Sequence, residues 1–77
     1  MKELLIDIAK GLVEKPDAVT VTEDAPDAEG IILLHLSVDS EDTGRVIGKQ
    51  GRIAKAIRTV MRAAAARIDA KVNVDID

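Results

Sequence analysis

The sequence predicts a single α+β domain, residues 1–77, in which three helices cover one face of a three-stranded mixed sheet. Seventy-seven residues are enough for one small hydrophobic core. Apolar residues recur at helical spacing in three segments and follow strand patterns in three others, in the order αββααβ. Because the last strand returns through a helical crossover, it should lie parallel to the second, whereas the first two can pair as a hairpin.

The first helix is predicted over residues 2–15, where apolar residues follow the period of an amphipathic helix. The apolar face consists of Leu4, Leu5, Ile8, Ala9 and Leu12. Pro16 should end the helix, because the residue before a proline disfavours helical angles. Ile6 and Val13 fall outside this face and are interpreted as exposed aliphatic residues, with a ridge that contacts a partner as the alternative.

Two strands follow. Residues 18–22 alternate and are rich in β-branched side chains, which predicts a strand with Val19 and Val21 facing inward. After an acidic loop, residues 23–30, the nearly continuous apolar run 31–38 is typical of a central strand. We expect Leu34, Leu36 and Val38 to face the helices, and Ile31, Leu33 and His35 to lie on the opposite face.

Two polar features are interpreted as structural. His35 is the only histidine and has no partner nearby in the sequence, so a catalytic or ligating role is not expected. Residues 39–42 (DSED) resemble helix-capping chemistry more than a metal site, because they lack the spacing and glycine of a calcium loop. Neither a metal nor a cofactor is predicted.

Two further helices are predicted, a short one over residues 41–47 and a long one over residues 52–68. The apolar stripe of the long helix consists of Ile53, Ile57, Val60, Met61, Ala64 and Ile68. The opposite face carries Arg52, Lys55, Arg58 and Arg62, all of one sign. The last strand, residues 71–76, should turn Val72, Val74 and Ile76 inward.

Between these helices lies a Gly-x-x-Gly segment. Gly48 and Gly51 flank Lys49 and Gln50, and Arg52 follows directly. Glycine permits backbone angles that other residues avoid and lets another backbone come close. Since the next helix begins here, its unpaired N–H groups and its dipole favour an anion. The segment is therefore predicted to hold a phosphate.

Residues 46–57 (VIGKQGRIAKAI) closely resemble the signature of the KH domain, an RNA-binding module whose GXXG loop clamps about four nucleotides. The whole chain is similar to the small stand-alone bacterial KH proteins of the KhpA type. The resemblance implies the type II version of the fold, with a variable loop at residues 23–30 and either self-association or a partnership with a second KH protein. It also implies a role as an RNA chaperone or post-transcriptional regulator. In many members the variable loop is basic, whereas here it is acidic.

Composition narrows the function. The chain has no cysteine and no aromatic residue, which excludes thiolate chemistry and the stacking of bases on aromatic rings. The net charge of −3 hides an asymmetry: residues 1–44 carry −8 and residues 45–77 carry +5.

A segment from Gly44 to Lys49 faintly resembles a P-loop, but the glycine spacing and the following Gln50 do not match that motif. The chain lacks a signal-peptide pattern and a membrane-spanning run, so a cytoplasmic location is expected.

These patterns predict a non-enzymatic protein that binds short single-stranded RNA. The predicted RNA-binding residues are Arg45, Ile47, Gly48, Lys49, Gln50, Gly51, Arg52, Lys55 and Arg58. A single KH site should bind weakly, so a homodimer or a second KH-containing partner is expected. The alternatives are a protein–protein adaptor built on the KH scaffold and a binder of single-stranded DNA.

Overall fold

The computed structural model describes residues 1–76, apart from the side chain of Lys49. The elements are α1 (Lys2–Leu12), a 3-10 turn (Pro16–Ala18), β1 (Thr20–Glu23), β2 (Ile31–Ser37), α2 (Ser40–Arg67) and β3 (Lys71–Ile76). β2 is the central strand, antiparallel to β1 and parallel to β3. The predicted mixed sheet is confirmed.

The helix α2 is divided in its middle. Gln50 and Gly51 have φ angles of 64° and 69°, although both lie within the span of α2. A right-handed helix needs φ near −60°, so the chain changes direction at these two residues. We call residues 40–49 the N-terminal arm and residues 52–67 the C-terminal arm. With α1 they make the three predicted helices, and the order αββααβ is confirmed.

The C-terminal arm ends in a Schellman motif. The N–H of Ala70 donates to the carbonyl oxygen of Ala65 at 2.8 Å, and the N–H of Asp69 donates to that of Ala66 at 3.2 Å. Asp69 takes the left-handed position, with φ of 56°. Such a cap satisfies the last helical carbonyls and turns the chain sharply. The chain can therefore enter β3 immediately.

The core lies between the helices and one face of the sheet. Its side chains come from every main element, and they include Leu5, Ala9, Val19, Val21, Leu34, Leu36, Val46, Ile57, Met61, Val72 and Val74. The predicted inward faces of the three strands are confirmed. Val38 and Ile76 are only partly buried and pack against this core.

The predicted apolar face of α1 is partly wrong. Ile6 and Val13 pack against the core, whereas Leu4 and Leu12 remain 38% and 44% exposed. The helix also ends at Leu12, earlier than predicted. Periodicity gives the spacing of apolar positions, but the angle at which a helix meets the sheet decides which of them are covered. The proposed ridge of Ile6 and Val13 is therefore not an exposed surface.

A similar correction applies to the C-terminal arm. Val60 and Ile68 are 47% and 66% exposed, while Ala54 and Ala65 are buried beside Ile57. Small side chains let the helix approach the sheet closely, so alanines occupy positions that hydrophobicity alone did not single out. Within residues 1–76, no helix is both long enough and apolar enough to cross a membrane.

Candidate nucleic-acid interface

The turn at residues 48–51, called here the GXXG turn, joins the two arms of α2. A Cβ atom added at Gly48 or Gly51 would meet no atom within 4 Å, so the outer surface of the turn is open. Gln50 is exposed, and Ile47 is 52% exposed just before the turn. The turn and the residue before it thus expose backbone, a polar side chain and an apolar side chain. The side chain of Lys49 lies outside the described part of the structure.

The two glycines have different conformations. Gly51 has a positive φ of 69°, a region in which residues with a Cβ are strained. Gly48 has no such angle and continues the N-terminal arm into the turn. Gly51 is therefore needed for the shape of the turn, whereas Gly48 leaves its outer surface uncovered.

Three basic side chains on the predicted basic face of the C-terminal arm are exposed. Arg52, Lys55 and Arg62 make no ion pair with any residue that the structure describes, and they follow one another at helical spacing. Positions three and four residues apart lie on the same side of a helix. The predicted basic face is therefore available to an external anion at these three residues.

Arg58 lies on the same face but has an internal partner. Its Nε donates a hydrogen bond of 3.2 Å to the carbonyl oxygen of Val74 in β3. The side chain is half-buried. Arg58 thus fastens the C-terminal arm to the outer strand of the sheet, and its predicted contact with RNA stays a prediction.

Arg45 is directed to a different part of the molecule. Its Nη1 lies 2.9 Å from an Oε1 of Glu14 and 3.9 Å from an Oδ1 of Asp42. The hydrogen bond to Glu14 is the main cause of the raised pKa of Arg45, with the charges of Glu14 and Asp42 adding to it. The structure therefore does not group Arg45 with the basic face of the C-terminal arm.

Asp42 is a structural residue whose partners the sequence did not reveal. Its carboxylate is buried and accepts hydrogen bonds from the N–H groups of Glu14 and Lys15, at 3.1 and 3.0 Å. The helix cap is Asp39, whose side chain accepts from the N–H of Glu41. The predicted cap is confirmed at Asp39, and Glu41 and Asp42 lie in the first turn of α2, where acidic residues were expected. Asp42 therefore connects the segment after α1 to the N-terminal arm. The bonded residues are 27 and 28 positions apart, so a local sequence pattern could not reveal them.

His35 lies on the open face of the sheet between two carboxylates. Its Nε2 is 3.0 Å from an Oδ2 of Asp24, and its Nδ1 is 3.4 Å from an Oδ2 of Asp75. The hydrogen bond to Asp24 raises the pKa of His35, and Asp75 adds to the effect. Among the described residues, no group of three His, Cys, Asp or Glu side chains could hold a metal ion. His35 thus links β3 to the residue that follows β1 across the face of the sheet.

The acidic loop is ordered by its own side chains and lies far from the GXXG turn. Oδ1 of Asp27 accepts from the N–H groups of Glu29 and Ile31, at 2.8 and 3.0 Å. Ile31 pairs with Lys71 at the start of β3, next to the end of α2. The C-terminal arm places this end about 24 Å from the turn, at 1.5 Å per residue. The charge of this loop is thereby kept away from the turn.

Comparisons with known proteins agree on the family. Residues 2–76 match the family described as KhpA/KhpB, KH domain. The sequence is 58% identical to RNA-binding protein KhpA of Clostridium perfringens over 76 residues, covering 99% of both chains. It is 45% identical to RNA-binding protein KhpA of Bacillus subtilis over 76 residues, covering 99% of this chain and 91% of the relative.

Two solved structures of the protein Era have a similar fold. One is Aquifex aeolicus Era bound to GDP·AlF4−, with a TM-score of 0.67 and 21% identity. The other is Era in complex with MgGDPNP and nucleotides of 16S ribosomal RNA, with a TM-score of 0.70 and 22% identity. Each match covers 97% of this chain and 28% of the Era chain. At this level of identity the likeness concerns the fold alone.

Proposed function

The chain belongs to the KhpA/KhpB family of KH domains, and from this we propose that it binds single-stranded RNA at the GXXG turn and the basic face of the C-terminal arm. Its relatives are named RNA-binding proteins, which is not an enzyme class. One observation carries the site: an open turn with a left-handed glycine lies directly before a helical face whose Arg52 and Lys55 have no ion-pair partner among the described residues.

The phosphate chemistry follows from the helix geometry. Because the backbone leaves helical angles at Gln50 and Gly51, the C-terminal arm begins a new run of helical residues, and its dipole and first N–H groups favour an anion at this end. A phosphate at the turn is therefore held by backbone N–H groups and by Arg52, with Lys49 proposed as a second cation. No bulky side chain covers either glycine, so the sugar-phosphate backbone can come close.

The exposed Ile47 offers an apolar contact for a base next to that phosphate. With no aromatic residue in the chain, stacking on rings contributes nothing to affinity. We expect weak binding by one domain, so two domains on one RNA gain affinity through effective concentration. We therefore propose a dimer, or a pair with a second KH protein, as the working form.

The cellular role is proposed from the family. We propose that the protein acts in the cytoplasm as an RNA chaperone or post-transcriptional regulator, which rests on its family. RNA differs from DNA at the site only where a residue contacts the 2′-hydroxyl. Single-stranded DNA of the same base sequence is therefore the competitor in every binding experiment. Tighter binding of RNA than of DNA is the expected result.

The site is tested by reversing charge at the turn. Lys49→Asp combined with Gln50→Asp should abolish binding of a fluorescent RNA, measured by anisotropy, because a carboxylate then replaces the cation beside the phosphate. Both glycines are retained, so the fold should persist. The matched control is Lys2→Asp with Lys10→Ala on α1, which changes the net charge by the same amount on exposed residues far along the chain. An equal loss of RNA affinity in both variants would show that the effect comes from net charge, and it would refute the proposed site.

The basic face is tested by the salt dependence of affinity. Removing one true phosphate contact should flatten the slope of log Kd against log salt by about 0.7 for a single strand. We expect this for Arg52→Ala and Lys55→Ala, and no change for Lys10→Ala. Wild-type slopes in both arm variants would show that these side chains are merely solvated.

A further inference from the structure

A groove lies where the end of the C-terminal arm meets the start of β3, away from the GXXG turn. Its lining includes Ile31, Arg62, Ala65, Lys71, Val72 and Asn73. The aliphatic side chains make an apolar floor, and the cationic side chains and the amide of Asn73 provide polar groups. Among the described residues, no acidic side chain lines it. This combination suits a flat heterocycle joined to a phosphate.

The register of α2 against β3 connects this groove to the proposed RNA site. Arg58 contacts Val74 directly. One helical turn further along, Arg62 lies about 6 Å beyond Arg58. Two residues earlier in β3, Val72 lies about 6.6 Å before Val74 and points to the same side of the strand. Since the helix and the strand advance by similar steps, the same helix–strand border runs from Arg58 to Arg62 and into the groove.

Charge is continuous along this border. Arg62 is exposed and has no ion pair with any described residue, like Arg52 and Lys55 nearer the turn. Lys71 is exposed as well. From Gly51 to Arg62 the C-terminal arm covers about 16 Å. A strand that begins at the GXXG turn therefore meets positive charge as far as the groove.

We propose that this groove binds a further nucleotide of the same RNA strand, beyond the about four nucleotides held near the turn. This inference rests on the proposed function, since the strand must first be held at the turn. The base lies on the apolar floor, where the amide of Asn73 can donate to and accept from its edge, and Arg62 and Lys71 each neutralise one of the two phosphates that flank the nucleotide. The acidic loop ends next to Ile31, so its negative charge makes the groove the end of the RNA-binding surface.

The test compares RNA of about four nucleotides with RNA of about eight nucleotides. The variant combines Arg62→Ala with Lys71→Ala, both at exposed positions, and its fold is checked by circular dichroism. Wild-type protein should bind the longer RNA more tightly. The variant should bind the short RNA as wild type does but lose the gain for the longer RNA, with a salt slope flatter by about 1.4 for the longer RNA alone.

Matched variants separate the explanations. Lys2→Ala with Lys10→Ala removes the same charge from α1 and should leave both affinities unchanged. Asn73→Ala, which changes no charge, should weaken the longer RNA only. If the groove variant loses equal affinity for both RNA lengths, the effect comes from general charge and the inference is overturned. If the variant keeps the extra affinity for the longer RNA, that gain comes from a second copy of the protein, which also overturns the inference. If wild-type protein binds neither RNA, the proposed function itself fails.

Discussion

Arg58 and Val74 join the middle of α2 to the outer strand of the sheet, since the Nε of Arg58 donates to the carbonyl oxygen of Val74 at 3.2 Å. β3 is an edge strand, with β2 on one side only. Unpaired backbone groups on such an edge can pair with another chain, and a charged side chain laid across them opposes this. Arg58 therefore fixes the helix against the sheet and also protects part of the edge.

Arg58→Ala should lower the free energy of unfolding by about 1–2 kcal/mol, because the carbonyl oxygen of Val74 loses its donor. Lys55→Ala, one turn away and exposed, should change it by less than about 0.5 kcal/mol. Arg58→Lys keeps the charge but lacks the planar Nε–H, so it should retain the salt slope of RNA binding while losing stability. Urea titration gives the free energies, and an Arg58→Lys protein as stable as wild type would contradict the bonding role.

The two glycines of the turn should respond oppositely to alanine. Gly51→Ala should lower the free energy of unfolding by about 1–2 kcal/mol, since its φ of 69° is strained for any residue with a Cβ. Gly48→Ala should leave it unchanged or raise it by up to about 1 kcal/mol, because alanine favours a helix and the new Cβ meets no atom within 4 Å. Thermal and urea unfolding measure both. Equal destabilisation of the two variants would be inconsistent with the observed backbone angles.

Asp42→Ala should be among the more destabilising changes outside the apolar core. It removes the acceptor for two amide N–H groups, those of Glu14 and Lys15, which lie in a partly buried region. The expected loss in the free energy of unfolding is about 3 kcal/mol. Glu41→Ala is the control, because Glu41 is exposed and its pair with Lys15 should contribute at most about 1 kcal/mol. Similar urea midpoints for the two variants would show that the buried carboxylate is not needed.

His35 should make stability depend on pH. Its folded pKa is raised above the usual value, so its contribution is complete below the unfolded pKa of about 6.5 and is lost as pH rises through the folded pKa. The difference in unfolding free energy between wild type and His35→Gln should therefore be larger at about pH 5.5 than at about pH 8.5.

The pKa of His35 can also be measured directly. His35 is the only histidine, so its imidazole resonances in an NMR titration need no assignment. Asp24→Asn should lower the measured pKa more than Asp75→Asn, because the hydrogen bond to Asp24 is the largest cause of the shift. A folded-state pKa at or below that of an unstructured peptide would contradict this arrangement.

The proposed dimer should use exposed aliphatic residues. Ile6 and Val13 pack against the core, so the surface to change on α1 is Leu4 and Leu12. Leu4→Glu with Leu12→Glu should yield a folded monomer with weaker RNA affinity, measured by sedimentation velocity and anisotropy. Leu33→Glu on the open face of the sheet is the comparison for the other surface. A wild-type protein that sediments as a monomer, with and without RNA, would refute the dimer.

The sequence by itself determined the order of elements and the position of the proposed site. Alternation over residues 18–22 and 71–76 depends on neighbouring positions only, so the inward faces of those strands were predictable. The GXXG segment combines glycine, positive charge and a helix start within five residues, so its position was also predictable from the local sequence. The asymmetry of charge between the two halves of the chain needed no structure either.

Only the tertiary structure decided which cations remain exposed for a ligand and which apolar residues remain outside the core. Arg45 and Arg58 belong to the predicted site by sequence, yet their partners are Glu14 and Val74, residues distant along the chain. Leu4 and Leu12 continue an ideal apolar stripe but are uncovered, because the sheet contacts only part of the helix surface. Such pairings depend on the packing angles between elements, which hydrophobic period and residue type leave open.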